Sequence, residues 1–452
     1  MYPFLYKNIF SPFHEKIIKR RKMLDYRKFL EESQWWPREK LLDFQWQELK
    51  KLLKHAYHEV PYWQKKFKEL GLTPDDIKSY QDFQRLPVTT KSDIRAHKEE
   101  MVAVNFKGKV WSKYTGGSTG QPLELDYTPD SYDWRVACWK RGYAWAGCED
   151  GMKQFWLWGA MLGKKSAWRE LKENLHYAFM QKKYFICHGM DDAIKADCLA
   201  ALNRFRPEVV IAYTNPLFAV AQYIEQKGGL KVRPKAIISA AEKLYEPQRK
   251  VIERAFGCKV YNTYGCREVM LVGAECEAHA GLHLSVENIF IEVLREDNTA
   301  ADPGEKGDLT FTDLHNFGMP LIRYRNEDVG VLSAKTSCVC GRGLPLLEDI
   351  VGRTLDLICT PEGKDVSGEF FVIVMLDKLG VDRYRFTQER LDFMVVELIK
   401  NENFSERELQ TIREQVTQVV GPTMKVEYRF VQELPVNRTG KFRVTVSNLK
   451  KS

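Results

Sequence analysis

The segment from Thr115 to Gly120 reads TGGSTG and places three glycines and three hydroxyl side chains within six residues. Glycine costs conformational entropy in a folded loop, but it lets backbone N–H groups approach an anion closely. Gln121 stands where a P-loop would need a lysine, so the segment is not a P-loop. Taken alone, it is at least as compatible with a plain hairpin turn as with a phosphate site.

Four more segments carry polar side chains on or just after predicted strands. They read YNTYGCREV, PLIRYRNEDVG (with its aspartate in a predicted turn), IVGRTLDLI and LPVNRTGKFRVTVSNL. A single carboxylate, arginine or lysine in such a place is more often a surface residue or a turn former than a ligand-binding group. These segments therefore indicate a function only when they are considered together. Their candidate residues are Asn262, Thr263, Tyr264, Gly265, Glu268, Asp328, Arg353 and Lys441.

The chain has 452 residues, more than one hydrophobic core usually organises, which predicts at least two domains. Hydrophobic residues make up 44% and charged residues 29%, the balance of an ordinary globular protein. The net charge of +8 is spread along the chain, whereas a nucleic-acid-binding protein would show a dense basic stripe. The absence of any apolar run of about 18 residues argues against a transmembrane helix. Ten scattered cysteines without disulfide spacing favour reduced thiols and a cytoplasmic location.

The N-terminus, MYPFLYKNIFSPFHEKIIKRRKML, is aromatic and basic but lacks the compact apolar core and cleavage site of a secretory signal. It could form an interfacial helix on anionic lipid, a peripheral membrane contact. The alternative is a segment packed on its own domain, and Pro3 and Pro12 favour it because they interrupt a long helix. The candidate lipid-facing residues are Phe4, Leu5, Ile9, Phe13, Lys19, Arg20, Arg21 and Lys22.

Apolar residues spaced four and three apart between Pro37 and His58 predict a helix. Farther along, short β-branched runs such as RPEVVIAYT and RPKAIISAAE alternate with helical segments, which indicates a largely parallel sheet covered by helices. The pattern becomes strand-rich after Gly281. We predict an α/β fold with a large N-terminal domain (residues 1–352) of helix-covered, mostly parallel sheets plus a β-rich part. A small mobile α+β domain (residues 353–452) would follow.

In their order along the chain, the five segments resemble the motifs of the AMP-forming adenylating enzymes: acyl- and aryl-CoA ligases, luciferases and peptide-synthetase adenylation domains. The resemblance is closest to the phenylacetate–CoA ligase-like branch, which includes CapK proteins and coenzyme F390 synthetases. SQWWPREKLLDFQWQELKKLLKHAYHEVPYWQKKF and LPVTTKSDIR are similar to the N-terminal region of that branch, and TGKFRVTVS is similar to its C-terminal end. The resemblance therefore covers nearly the whole chain.

The resemblance implies that these segments form one nucleotide site. The glycine-rich loop would hold the β- and γ-phosphates of ATP through N–H and hydroxyl donors. Glu268 would bind Mg²⁺, a hard cation that takes carboxylate oxygens, and Asp328 would accept both ribose hydroxyls. Lys441 would offset the charge that develops at the α-phosphate, and Arg353 in the hinge segment would also contact the nucleotide. The loop residues are Thr115, Gly116, Gly117, Ser118, Thr119 and Gly120. The adenine slot would comprise Ala240, Ala241, Glu242, Asn262, Thr263, Tyr264 and Gly265, with Tyr264 against the purine face.

Three positions depart from the family pattern. Gln121 replaces a lysine that usually precedes the proline of the phosphate loop, so less positive charge would face the pyrophosphate. Arg267 stands where serine or threonine is common, so a guanidinium would replace a hydroxyl contact to phosphate. Leu355 replaces an aspartate that many relatives have at the hinge, which bears on the geometry of the pivot.

Cysteine and histidine residues gather in two stretches, AECEAHAGLH and SCVCGRG. They could supply a tetrahedral zinc site of three sulfurs and one nitrogen, and the alternative is buried thiols packed as small hydrophobes. Similar pairs occur in the ligase branch, where a structural zinc would pin the β-rich part to the sheet. That resemblance favours His283 over His279 as the nitrogen ligand. The candidate sulfur ligands are Cys276, Cys338 and Cys340.

The reaction implied by the resemblance has two steps. A carboxylate attacks the α-phosphorus of Mg·ATP to give an acyl-adenylate and pyrophosphate, and the thiol of coenzyme A then displaces AMP. One alternative is a CapK-like ligase that passes an amino acid or another acid to an amine or sugar in surface polysaccharide synthesis. A second is a non-catalytic nucleotide-binding scaffold. Trp156 and Trp158 could stack on an aryl acid or be core residues, and the oligomeric state, monomer or homodimer, stays open.

Overall fold

The computed structural model describes residues 2–107, 110–114, 123–159, 167–187, 190–353, 358–366, 368–375, 378–434 and 443–449. None of the helices within these ranges combines the length and the apolar character that crossing a bilayer requires.

Helices form the N-terminal part of the chain and then alternate with strands. The predicted helix between Pro37 and His58 is confirmed as α3. The prediction that Pro12 interrupts the N-terminal helix is wrong: the chain stays helical from α1 (Tyr2–Leu5) through two π-helical stretches, Tyr6–Phe10 and Phe13–Ile18. We call residues 2–18 the N-terminal helix. The wider π-helical turns accommodate a residue that lacks an N–H donor. The α-helices are α1 (Tyr2–Leu5), α2 (Met23–Ser33), α3 (Arg38–Glu59), α4 (Pro61–Leu70), α5 (Tyr80–Phe83), α6 (Lys91–Met101), α7 (Pro129–Trp145), α8 (Ala167–Phe179), α9 (Asp192–Phe205), α10 (Thr214–Lys227), α11 (Glu246–Phe256), α12 (Gly368–Met375) and α13 (Glu406–Val420).

Eleven strands form one large mixed sheet in the order β10-β11-β12-β13-β9-β8-β7-β6-β5-β3-β4. From β4 to β7 the neighbouring strands are parallel, and from β7 to β10 they are antiparallel. The predicted helix-covered parallel sheet and the β-rich part after it are both confirmed. The strands are β1 (Trp111–Tyr114), β2 (Glu124–Tyr127), β3 (Gln154–Trp158), β4 (Lys182–Ile186), β5 (Val209–Tyr213), β6 (Ala236–Ala240), β7 (Lys259–Cys266), β8 (Met270–Glu275), β9 (Leu282–Leu284), β10 (Ile289–Leu294), β11 (Lys306–Asp313), β12 (Tyr324–Leu332), β13 (Leu346–Arg353), β14 (Ile358–Cys359), β15 (Asp365–Val366), β16 (Val381–Arg390), β17 (Phe393–Lys400), β18 (Lys425–Phe430) and β19 (Thr445–Ser447).

The parallel half of the sheet is covered on both faces. Every residue of β5 and β6 is buried, as expected for parallel strands between helices. One apolar cluster packs these strands against α9, α10 and α11, and a second packs them against α7. The carboxyl ends of the strands are therefore held at one edge of a rigid layer.

The C-terminal residues form a separate small sheet in the order β18-β17-β16-β19. Its apolar face packs against α12 and α13, so it has a hydrophobic core of its own. Arg353 ends β13 of the large sheet. Ile358 begins β14, and the Ile358 side chain lies in the hydrophobic core of the small sheet. A small α+β unit at the C-terminus agrees with the predicted fold, and the boundary between residues 352 and 353 stays a prediction.

A buried ion pair ties the helices of the large domain to its antiparallel strands. The Arg141 guanidinium of α7 donates to both carboxylate oxygens of Glu287, over 2.5 and 3.1 Å. Ser33 at the end of α2 donates to the same carboxylate over 2.7 Å. Arg141 is 1% exposed and Glu287 fully buried, so neither charge is solvated by water. Each charge is stable there only because the other is present.

We expect Arg141→Met to lower the free energy of unfolding by roughly 3–5 kcal/mol, because it leaves Glu287 buried without a cation. The double variant Arg141→Met with Glu287→Leu should recover much of that loss. Arg254→Met, which removes an exposed partner of Glu225, should cost less than about 1 kcal/mol. Thermal and urea unfolding measure all three, and a wild-type midpoint for Arg141→Met would contradict the prediction.

Candidate active site and metal centre

The candidate nucleotide residues gather where β7 joins the parallel and antiparallel halves of the sheet. The Tyr264 hydroxyl on β7 donates to Asp328 Oδ2 on β12 over 2.7 Å. These two strands are four places apart in the sheet, which would separate them by about 19 Å if the sheet were flat. The antiparallel half must therefore curl back towards β7. Irregularities in register between β7 and β8, β11 and β12, and β12 and β13 bend the strands in the required way.

Three polar side chains meet at the inside of this curl. Asn326 Nδ2 donates to Asp328 Oδ2 over 2.7 Å and to the Tyr264 oxygen over 2.9 Å, while its Oδ1 accepts from the Asp328 N–H over 3.0 Å. Burial and the neighbouring Asp328 charge hold the pKa of Tyr264 well above its usual range, so the phenol keeps the proton that it donates. Asp328 lies within strand β12 rather than in the predicted turn, and its carboxylate is oriented by both neighbours.

Glu268 lies in the turn between β7 and β8 and is 8% exposed. Its Oε1 accepts a hydrogen bond from the Tyr324 hydroxyl over 3.1 Å. Burial and the Glu268 charge raise the pKa of Tyr324, and they also raise that of the Cys266 thiol, so both neighbours stay neutral. A carboxylate among neutral groups suits a hard divalent cation, which prefers oxygen ligands.

The segment Ala240, Ala241 and Glu242 follows directly from β6. Ala241 adopts a left-handed backbone conformation (φ 69°), which turns the chain sharply at the edge of the sheet. Glu242 Oε2 accepts from the Asn215 N–H over 2.8 Å, and the Glu242 carbonyl accepts from the Thr214 hydroxyl over 3.0 Å. Both contacts lie in the first turn of α10, where a carboxylate is favourable. The segment is thereby fixed to that helix.

The remaining adenine-slot candidates lie on β7 beside this segment. The Thr263 hydroxyl donates to the Ser239 carbonyl of β6 over 2.8 Å, and the Asn262 N–H donates to Glu275 Oε2 over 2.8 Å. At Gly265 a Cβ atom would come within 2.2 Å of the Met270 carbonyl oxygen, so no other residue fits the irregularity between β7 and β8. The structure thus brings together the candidates of β6, β7 and β12.

The other predicted nucleotide contacts are only partly described. Arg353 lies opposite Asp328 in the register of β12 and β13. The loop Thr115–Gly120 and Lys441 lie outside the described residues, and their roles stay predictions. β1 and β2, which flank the loop, pair in antiparallel fashion with Tyr114 opposite Glu124.

The sequence alone did not indicate a cluster of cations at the start of the glycine-rich loop. Lys113 of β1 has a pKa lowered to about 8, first by burial and then by repulsion from Arg135 and Arg267. Arg267 also reaches the end of β1, where its Nη1 donates to the Tyr114 carbonyl over 2.7 Å. Three positive groups therefore approach the strand from which the glycine-rich loop begins.

Lys113 has aromatic rather than acidic neighbours. Its ammonium lies 4.7 Å from the ring centroids of both Tyr127 and Tyr132. In the part of the chain that the structure describes, no carboxylate contributes to its pKa. From the sequence Lys113 reads as one more surface lysine, and the signal that could have marked it is its place at the start of the loop.

Cys276, His283, Cys338 and Cys340 form one compact cluster, with a ligand atom of each residue within 4.8 Å of the others. Cys276 Sγ and Cys338 Sγ are 3.8 Å apart, and Cys340 Sγ is 3.3 Å from His283 Nε2. Sulfur ligands about 2.3 Å from a tetrahedral zinc would themselves lie about 3.8 Å apart. The spacing of this donor set therefore fits zinc.

The cluster also separates the two candidate histidines. His283 Nδ1 lies 3.3 Å from the Leu344 carbonyl, so its Nε2 faces the thiols, as in a metal-ligating histidine oriented by the backbone. Burial lowers the pKa of His283 to about 4, which keeps it neutral. His279 Nδ1 instead lies 3.1 Å from Glu275 Oε2, outside the cluster. The sequence left both histidines as candidate nitrogen ligands, and the geometry of the cluster favours His283.

Parts of the chain are similar to known proteins. Residues 358–448 match the model of the CapK C-terminal domain. The phenylacetate-coenzyme A ligase of Thermus thermophilus is 28% identical over 343 residues, which cover 71% of this chain and 72% of that protein. Protein CapK of Staphylococcus aureus is 25% identical, with 82% of this chain and 81% of that protein covered.

A solved structure shows the same fold over most of the chain. The crystal structure of 2-hydroxyisobutyryl-CoA ligase in the postadenylation state, in complex with R3-HIB-AMP, aligns with a TM-score of 0.69 at 19% identity. The alignment covers 89% of this chain and 88% of that one. These relatives and this fold confirm the resemblance of the chain to the adenylate-forming ligase superfamily, in its phenylacetate–CoA ligase and CapK branch.

Proposed function

We propose that the protein is an AMP-forming ligase that activates a carboxylic acid with Mg·ATP and transfers the acyl group to coenzyme A. The contact between Tyr264, Asn326 and Asp328 carries this proposal, because it presents an oriented carboxylate at the edge where parallel strands bind nucleotides. Coenzyme A as acceptor is supported by the similarity of the chain to phenylacetate-coenzyme A ligases and to 2-hydroxyisobutyryl-CoA ligase.

The nucleotide would lie across the curl between β6, β7 and β12. Asp328 would accept hydrogen bonds from the ribose hydroxyls, and the purine would lie beside Tyr264 and the turn at Ala241. Because the Tyr264 hydroxyl is engaged by Asp328, only its ring is left to contact the purine. Glu268 would hold Mg²⁺, which would neutralise phosphate oxygens when bound. Arg353, opposite Asp328, would contact the nucleotide from β13.

The cation cluster would compensate for the missing lysine at Gln121. Lys113 and Arg267 would contribute positive charge to the loop Thr115–Gly120, where the β- and γ-phosphates are expected. A pyrophosphate brings several negative charges and relieves the mutual repulsion of these cations. Lys441, from the small domain, would act on the α-phosphate and the attacking carboxylate, where charge develops in the transition state.

The acid would enter beside the carboxyl ends of β3 and β5. Trp156 is buried among aromatic residues and belongs to the core. Trp158 is half-buried, ends β3, and packs on the Tyr213 ring at a centroid distance of 4.4 Å. We therefore assign Trp158 and Tyr213 to the pocket wall, which favours an acid with a flat or apolar group.

A second candidate acceptor is an amine or a sugar, which is the acceptor expected of a CapK-like ligase. Its support is the match of residues 358–448 to the CapK C-terminal domain and the larger covered share for Protein CapK than for the phenylacetate-coenzyme A ligases. A non-catalytic nucleotide-binding scaffold is the third candidate. Acceptor screening with coenzyme A, amines and amino sugars separates the first two, and the absence of AMP release with any acid would favour the third.

The cysteine–histidine cluster would hold a structural zinc ion. Cys276 follows β8, His283 lies in β9, and Cys338 and Cys340 lie in the loop before β13, so the ion would join three parts of the curled half. We also propose a cytoplasmic location, which ten cysteines without disulfide spacing favour.

The first functional test is pyrophosphate release with a panel of aryl, fatty and amino acids, followed by acid-dependent ATP–pyrophosphate exchange with the best acid. Lys441→Ala should lower exchange roughly 10²–10³-fold, because it removes a charge that stabilises the transition state. Lys425→Ala, at an exposed lysine of the same domain, should leave exchange unchanged. Wild-type exchange by Lys441→Ala would refute the role of Lys441, and no release with any acid would refute the ligase activity.

The depressed pKa of Lys113 predicts a pH dependence of pyrophosphate binding. The ammonium is charged below about pH 8 and loses its proton above it, so pyrophosphate should bind more weakly as the pH rises from 7 to 9. Isothermal calorimetry should show proton uptake on binding in this range. Lys113→Met should flatten the pH dependence, and Lys335→Met, at an exposed lysine elsewhere, should keep it. A profile unchanged by Lys113→Met would contradict the assignment.

Purified protein should contain one zinc ion per chain by elemental analysis. Cys338→Ser should lose the metal and lower the thermal midpoint, because the cluster joins three segments of the sheet. Cys258→Ser, outside the cluster, should retain the metal. Protein without zinc, prepared without chelators, would show that these residues are packed thiols.

A further inference from the structure

The N-terminal helix lies along α8 on the outside of the large domain. The Tyr2 hydroxyl donates to the Phe179 carbonyl at the end of α8. The Tyr6 ring packs on the Phe179 ring with 5.5 Å between centroids, and Tyr6 is buried. Gly151 leaves the room for this contact, since a Cβ atom there would lie 2.7 Å from the Tyr6 Cβ. One side of the helix is thus fixed to the fold.

The solvent-exposed surface of this helix and of the end of α8 is strongly apolar, and it includes the outer parts of Phe10 and Phe179, whose rings pack together with 5.6 Å between centroids. Single exposed apolar residues are ordinary, but a group of them on two adjacent helices marks a binding surface. Six belong to the N-terminal helix and two to α8. We call this group the apolar face: Phe4 (69% exposed), Ile9 (53%), Phe10 (37%), Phe13 (57%), Ile17 (63%), Ile18 (59%), Leu175 (64%) and Phe179 (43%).

The exposed charges of the first 22 residues are positive, and three of them pair with acidic side chains from other segments. Glu15 is the single acidic residue among the first 22, and its largely covered side chain pairs with Arg21. Lys19 and Arg20 are exposed, and among the described residues no carboxylate forms an ion pair with either. Three more lysines form surface ion pairs, which are weak in water. The exposed cations are Lys7, Lys16, Lys19, Arg20 and Lys22.

The position of the helix leaves the candidate active site accessible. Gly151 precedes β3 and Phe179 precedes β4, so the helix lies at the amino edge of the parallel strands. The candidate nucleotide residues of β6 and β7 that the structure describes lie at the opposite, carboxyl edge. A surface bound to the apolar face would therefore not cover them.

We propose that the apolar face docks the protein onto a lipid bilayer that contains anionic headgroups. A helix lying in the interface buries Phe, Leu and Ile side chains at the acyl boundary, while Lys and Arg side chains contact the phosphates. A protein partner fits less well, because lysine is depleted at protein–protein interfaces but abundant here. The docking is independent of the proposed ligase activity and would survive its refutation.

The test is flotation of the full-length protein with vesicles of phosphatidylcholine alone or with about a third phosphatidylserine. We expect binding to the anionic vesicles, weak binding to the neutral ones, and release by added salt. Phe13→Ser with Ile17→Ser, and separately Lys19→Glu with Arg20→Glu, should each lower the bound fraction roughly tenfold. Circular dichroism should show an unchanged thermal midpoint for both double variants, because none of the four side chains is buried.

Matched controls change the same residue types elsewhere. Leu379→Ser with Leu391→Ser removes two exposed apolar side chains of the small domain, and Lys50→Glu with Lys54→Glu reverses two exposed charges of α3. Both should bind vesicles as the wild type does. The proposal is overturned if the wild type does not bind anionic vesicles or binds neutral vesicles equally well. It is overturned as well if the control variants lower the bound fraction as much as the test variants do. It is also overturned if sedimentation shows a dimer that Phe13→Ser with Ile17→Ser dissociates, since a second copy would then cover the face.

Discussion

The curvature of the antiparallel strands is the constraint on which the candidate site depends. A 2.7 Å hydrogen bond between Tyr264 and Asp328 cannot exist in a flat sheet, because their strands are four places apart. The same curl brings the Tyr324 hydroxyl of β12 to Glu268 after β7. Gly265 makes it sterically feasible, since any side chain there would strike the backbone of the next strand. The predicted ribose and magnesium ligands thus share one structural cause, and both would be lost if the curl opened.

Two groups of polar and sulfur side chains inside the large domain connect the segments of this curl. The buried pair of Arg141 and Glu287 joins α7 to the turn before β10, and the cysteine–histidine cluster joins β8, β9 and the loop before β13. Within the described part of the chain, neither group forms a hydrogen bond or ion pair with the candidate nucleotide residues. Both lie where the strands change direction. There the directional ion pair specifies a geometry that apolar packing alone would leave loose, and the proposed zinc ion would do the same.

Two surfaces of the molecule carry unbalanced positive charge, and the fold keeps them apart. Lys113 and Arg267 gather at the start of the glycine-rich loop, where a polyphosphate would relieve their repulsion. Lys19 and Arg20 border the apolar face at the opposite edge of the parallel strands. A net charge of +8 conveys neither location, because it averages over a chain in which most lysines and arginines are solvated or paired.

The sequence by itself determined the class of fold and the order of the motifs. Periodicity predicted α3, the parallel strands β5 and β6 and the strand-rich part, because side-chain alternation is a local property of the chain. The sequence also indicated Tyr264, Asp328 and Glu268 as candidates, through a resemblance carried by short contiguous segments. Tertiary structure decided what depends on distance: that Asp328 lies on a curled strand against Tyr264, that His283 rather than His279 faces the cysteines, and that Lys113 joins two arginines. Contacts between strands far apart in sequence follow from bulges, twist and packing, which no local pattern of residues encodes.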